Sequence, residues 1–192
     1  MREMIKMILV LSLICGLSGL TLATVREATS KRIEEQVLTY VQGPALDQIF
    51  SDYENNPVND RKVFELPEGA VTVFPFMKGG KLEGVAFETF GVGYGGKVGI
   101  MVGFTLDGTT LQGIGITTMK ETPGLGARAT EPVFRDQFKG LATDSIALDK
   151  QGGTIAAISG ATITSTATVT AVNEAIQIFD RIKDKLPNAW GP

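Results

Sequence analysis

Residues 7 to 25, MILVLSLICGLSGLTLATV, run without a charged side chain. That approaches the roughly 20 apolar residues a helix needs to cross the hydrocarbon core of a bilayer. A secretory apolar region is shorter, about 7–15 residues, and Thr21-Leu22-Ala23 makes a poor cleavage site. The run therefore reads as a retained anchor. Beyond it, Ile33, Val37 and Val41 recur at helical spacing, so the pattern predicts a helical continuation over 26–50. SDYENNPVNDRK is polar and carries Asn56-Pro57, which marks a linker or loop. The pattern then changes to short β-type runs: KVFEL, AVTVFPFM, KLEGVAFETF, KVGIMVGFTL and LQGIGITTM. Gly79-Gly80 and Asp107-Gly108 punctuate them as hairpin turns, and the whole predicts a mostly antiparallel meander.

Two further helices follow. EPVFRDQFKGL, 131 to 141, has Pro132 suited to a first helical turn and Gly140 near its end. A longer helix is predicted from about Ser165, with Val169, Val172, Ile176, Phe179 and Ile182 on one stripe and Pro187 stopping it. Glu174, Gln177, Asp180, Arg181 and Asp184 fall largely on the opposite side. The chain thus reads as α+β: an anchor over 1–25, a helical stalk and linker over 26–60, and one domain over 61–192 with a mostly antiparallel sheet and flanking helices.

Charge and composition narrow the function by exclusion. The net charge is −3, so there is no basic surface to attract nucleic acid. Arg2 and Lys6 precede the apolar run while Arg26, Lys31 and Arg32 follow it, and the positive-inside rule leaves the topology open. The chain has no histidine, which removes Ser-His-Asp and Cys-His catalysis as usually built, along with His-containing zinc sites. Cys15 is alone, so there is no internal disulfide, iron–sulfur cluster or C-x-x-C-H haem site. Within the apolar run it reads as a packed thiol. Ile14 before it stands where a lipoprotein cysteine has a small residue. Redox chemistry on this chain would need an organic cofactor.

Four stretches are candidates for chemistry. GVGYGG, 91 to 96, matches G-x-G-x-x-G, but strand-like KVGIMVGF follows it instead of a helix, and Val98 stands where a P-loop has Ser or Thr. AISGA lacks the first glycine of a nucleophile elbow, Ala157 standing there, and no histidine is present to activate Ser159. KETPGLGA, 120 to 127, fixes a turn that gathers Glu121, Thr122 and several backbone N–H groups. ISGATITST, 158 to 166, places Ser159, Thr162, Thr164, Ser165 and Thr166 at a helix start, with Gly160 letting the backbone approach a ligand. A helix N-terminus favours phosphate. The plain alternative is that Thr164 or Ser165 caps the helix, worth about 1 kcal/mol. These residues alone point to a phosphate or flavin-phosphate site.

SGATITS resembles the sequence at which a flavin transferase attaches FMN through a phosphoester to threonine. KETPGLGAR, PVFRDQFKG and GYGG resemble companion motifs, and nearly the whole chain is similar to the FMN-binding family of Rnf-complex G subunits. The related C subunits of sodium-pumping NADH:quinone reductases are the near alternative. The resemblance implies covalent FMN on Thr162, with Ser159, Gly160, Ala161, Thr164 and Ser165 around the attachment. It also implies an isoalloxazine near Glu121, Thr122, Gly124, Leu125 and Gly126, with Tyr94 and Gly95 close by. It implies an electron carrier in a ferredoxin:NAD oxidoreductase coupled to ion translocation. Its partners would be a flavinylated D subunit, the A and E membrane subunits and a flavin transferase. Its place would be the cytoplasmic membrane, single-pass, with the flavin domain outside. Two positions depart from the pattern: Ala156 replaces the Asp of D-x-x-S-G-A-T, and Met119 stands where many relatives have His. Two other readings use the same residues. One is a membrane-anchored module that holds a flavin or another phosphorylated ligand non-covalently. The other is an assembly protein without flavin, against which the intact SGAT and ETPGLG stand.

Overall fold

The computed structural model describes residues 1–144 and 146–190; Ser145 and the end of the expected domain, residues 191 and 192, lie outside the described residues. The chain divides into two compact units, residues 1–39 and 40–192. The first consists largely of helix α1, Arg2–Val37, which has no buried residue. Leu9, Leu13, Leu17 and Leu20 all project outward. This helix is long and apolar enough to cross a membrane. Its hydroxyls are satisfied locally: Thr21 Oγ1 donates to the Leu17 carbonyl at 2.8 Å and Thr24 Oγ1 to that of Leu20 at 3.0 Å. Such back-bonding is how polar groups tolerate hydrocarbon.

The second unit is built on one sheet of five strands in sequential order, every neighbour antiparallel. They are β1, Lys62–Leu66; β2, Gly69–Lys78; β3, Lys81–Val92; β4, Lys97–Thr105; and β5, Leu111–Thr118. The five apolar runs become these five strands. The β2–β3 turn uses Gly79 and Gly80, both at positive φ, which suits the twist of a two-residue hairpin.

Alternation along the strands gives the sheet two different faces. On one face Phe87 stacks on Phe104 at 5.4 Å between centroids, and Phe104 on Phe179 of helix α4 (Thr162–Ile182) at 4.7 Å. Val169, Val172, Phe179 and Ile182 of the α4 stripe are buried and Ile176 is half-buried. On the other face, Gly103 and Gly115 make room for a helix. A Cβ on Gly103 would lie 2.2 Å from Ile49, and one on Gly115 2.7 Å from the Ala45 carbonyl oxygen. The short helix α2, Gly43–Ile49, therefore rests almost on the sheet backbone.

Three boundaries differ from those the sequence suggests, the first being the long helix, which opens at Thr162 and not near Ser165. Residues 131–141 give only one α-turn, α3 at Pro132–Arg135, followed by a 3₁₀ turn at Asp136–Phe138. Phe134 and Phe138 are both buried, and the tighter turn lets them meet edge to face at 5.6 Å. Pro187 does not stop the long helix. That helix ends at Ile182 and tightens into a 3₁₀ turn at Lys183–Lys185. Pro187 lies in the first turn of α5, Leu186–Trp190, where its missing N–H costs nothing.

Candidate functional site

Three segments meet beside the start of α4. The first is the β3–β4 turn, in which the Gly93 N–H donates to the Gly96 carbonyl at 2.8 Å. The G-x-G-x-x-G match thus belongs to a hairpin, as the strand-like residues after it indicate. The second is the loop after β5. There the Thr122 carbonyl accepts from Leu125 N–H at 3.1 Å and from Ala127 N–H at 3.2 Å, and Gly124 has φ +76°. The third is the turn into α4, where Gly160 adopts φ +78°.

Together they line a cavity of about 530 Å³, within the range of small-molecule clefts. Its walls include Tyr94, Glu121, Thr122, Leu125, Gly126 and the run from Gly160 to Thr164. Tyr94 and Leu125 keep apolar surface exposed, at 77% and 45%. That surface suits a flat aromatic ligand.

The start of α4 is open. Its N-cap is Ala161, which makes no side-chain cap hydrogen bond. The first N–H groups of a helix have no carbonyl one turn back, so they face outward with the positive end of the helix dipole. Thr162 is the first helical residue and is exposed. The hydroxyls at 164 and 165 do not cap the helix. Ser165 is fully buried: its Oγ accepts the Ile158 N–H at 2.9 Å and donates to the Ala161 carbonyl at 3.0 Å. Thr164 Oγ1 donates to Glu121 Oε2 at 2.6 Å. One hydroxyl thus shapes the turn, one ties down a loop, and Thr162 faces the cavity.

Nine of the thirteen residues in the expected site line the cavity: Tyr94, Glu121, Thr122, Leu125, Gly126, Gly160, Ala161, Thr162 and Thr164. Ser159, Gly124, Gly95 and Ser165 do not. Gly95 stands behind the wall and donates its N–H to Glu121 Oε1 at 2.9 Å. The sequence reading missed Ile163. It is 53% exposed between this cavity and a neighbouring one of about 490 Å³, which Phe90, Val92 and Thr166 also line. An apolar residue at the second position of a helix gives no signal in a pattern search. At the two departures the fold is intact. The Ala156 N–H donates to Gln137 Oε1 at 2.7 Å, and Met119 packs partly buried against the core.

An open helix start, a close-approach glycine and an exposed aromatic wall fit a phosphorylated aromatic cofactor, so the fold and site are those of a cofactor-binding domain that follows a long apolar helix. A family model described as the FMN-binding domain matches residues 93–177. The chain is 33% identical over 93% of its length to the G subunit of the ion-translocating oxidoreductase complex of Cereibacter sphaeroides, covering 85% of that protein. It is 32% identical to the G subunit of the proton-translocating ferredoxin:NAD(+) oxidoreductase complex of Clostridium ljungdahlii, over 87% of this chain and 86% of that protein. It is likewise 32% identical to the G subunit of the Na(+)-translocating ferredoxin:NAD(+) oxidoreductase complex of Acetobacterium woodii, over 94% of each. Among solved structures, the C subunit of the Na(+)-translocating NADH-quinone reductase of Parabacteroides distasonis superposes with a TM-score of 0.53 at 27% identity. That match spans 60% of this chain and 64% of that one. The chain belongs to the family of G subunits of ion-translocating oxidoreductase complexes.

Proposed function

We propose that the chain carries FMN covalently, through a phosphoester on the Thr162 hydroxyl, and serves as an electron carrier in a ferredoxin:NAD oxidoreductase complex coupled to ion translocation. The observation that carries this reading is the placement of Thr162, an exposed hydroxyl at the uncapped first position of α4, on the wall of the cavity. The bound flavin would supply the redox chemistry; the residues supply position and electrostatics. The N–H groups at the start of α4 stabilise the phosphate charge, and Gly160 keeps the backbone clear of it. Tyr94, Leu125 and the turn around Thr122 offer the ring a partly apolar seat. A tether of this kind suits a cofactor on the far side of the membrane, where a cytosolic pool cannot replace it. We place the flavin domain there, with α1 as the single span and the flavinylated D subunit and the A and E subunits as neighbours.

Intact mass and in-gel flavin fluorescence of the denatured protein test this, after co-expression with a matching flavin transferase. The native chain should carry one FMN phosphoester and Thr162→Ala none. A native chain of unmodified mass that nevertheless binds FMN after purification would favour the non-covalent reading, with Ala156 as the departure that lost the modification.

A further inference from the structure

Glu121 projects from the loop after β5 between the two other segments of the site, and both oxygens of its carboxylate are engaged by the protein. Oε1 accepts the Gly95 N–H at 2.9 Å, and Oε2 accepts the Thr164 hydroxyl at 2.6 Å. One half-buried side chain thus ties the β3–β4 turn, the TPGLG loop and the first turn of α4 together. Its surroundings are cut to its shape. A Cβ on Gly93 would lie 2.5 Å from Oε1, and a Cβ on Gly126 2.4 Å from Oε2 and 2.7 Å from Thr164 Oγ1. A Cβ on Gly95 would lie 1.9 Å from the Lys120 carbonyl oxygen. Three glycines therefore make room for the clamp. No lysine or arginine side chain is hydrogen-bonded to this carboxylate among the described residues, so its charge is held only by neutral donors at the cavity wall.

We infer that Glu121 is the positioning residue of the flavin cavity: its carboxylate locks the three walls around Thr162 and holds a negative charge beside the ring instead of binding the cofactor. This rests on the reading that FMN occupies the cavity. Charge-assisted hydrogen bonds are about twice as strong as neutral ones, so losing the carboxylate loosens the β3–β4 turn and the start of α4 together. A fixed negative charge near a ring that gains electrons opposes the added charge, so it lowers the ring's midpoint potential.

The test uses the full chain with Glu121→Gln, Glu121→Asp and Thr164→Val. In the flavin-free protein, Glu121→Gln should speed hydrogen exchange at the Gly95 amide by about fivefold, because a charge-assisted bond to the carboxylate becomes a neutral one to the Gln carbonyl. In the flavinylated protein, Glu121→Gln should raise the midpoint potential. Thr164→Val, which keeps the charge, should leave the potential near native while loosening the α4 start. Glu121→Asp keeps the charge on a shorter arm, so it should hold the potential but lower flavin fluorescence anisotropy. An unchanged potential in Glu121→Gln, with native mass showing the adduct, would overturn the electrostatic role. Native exchange at Gly95 in the same variant would overturn the clamp. A native chain without adduct would instead count against the flavin reading and leave the exchange result to judge the clamp alone.

Discussion

The hydroxyls of Thr162, Thr164 and Ser165 at the start of α4 have similar chemistry and different fates: burial sets Thr162 apart, and bonding partners separate Thr164 from Ser165. Ser165 is fully buried and serves two backbone groups, so Ser165→Ala should leave the Ile158 N–H without its acceptor. We expect a loss of about 1–3 kcal/mol in chemical denaturation, the usual cost of orphaning a buried donor. Thr162 is exposed and its side chain is bonded to none of the described residues, so Thr162→Ala should leave stability within about 0.5 kcal/mol of native while abolishing covalent flavin. Comparing the two variants separates folding from attachment. If Thr162→Ala were as destabilising as Ser165→Ala, the residue would belong to the turn and the attachment reading would lose its main support. Glycines mark the same boundary between tolerance and strain. Gly126→Ala should push its Cβ into Glu121 and Thr164, and overpacking of this kind costs about 1–3 kcal/mol, readable in the same denaturation experiment.

The strands were legible because their alternation and glycine punctuation act locally: KVFEL is β1 residue for residue, and the other four runs shift by a residue or two at their ends. The start of α4 was legible only approximately. Helical spacing becomes visible at Val169, yet the helix opens at Thr162, because backbone geometry at Ala161 and Gly160 sets the start and apolar periodicity does not. Long-range ties were not legible. Glu121 and Thr164 are far apart in sequence, and no local pattern says that one oxygen of the first receives the hydroxyl of the second. The β4–β5 connection carries a testable pH effect of its own. Asp107 accepts the Thr105 hydroxyl, the Thr109 N–H and the Thr109 hydroxyl. The Thr105 bond above all, then those to Thr109, hold its carboxyl below the ordinary value of 3.8. A depressed carboxyl contributes stability that is present above its ordinary value and is lost as the pH falls through its value in the fold. Native protein should therefore exceed Asp107→Asn in stability near neutrality, and the gap should close in acid. A gap that stayed constant through the acid range would mean that hydrogen bonding to the loop, and not the charge, supports the turn.

At the scale of the whole chain, apolar character is unevenly distributed. Mean hydropathy is only +0.13 overall, but the most apolar window within the first helix reaches 2.3. None of α1's residues is buried, so its apolar side chains contribute nothing to a protein core. A bilayer around α1 would recover their transfer energy, the setting proposed above for this helix. Arginine near the centre of a span costs about 2.5–3.5 kcal/mol on insertion scales. Leu13→Arg with Leu17→Arg therefore places roughly twice that penalty against insertion of a single helix. The double variant should move from the carbonate-resistant membrane pellet toward the soluble fraction. Its thermal transition should stay at the native position, because the stacked Phe87, Phe104 and Phe179 core lies wholly within residues 40–192. If both substitutions left the chain in the pellet, another surface would have to hold it there. The exposed apolar rim of Phe90, Val92 and Ile163 beside the cavity at the start of α4 would be the first place to substitute next.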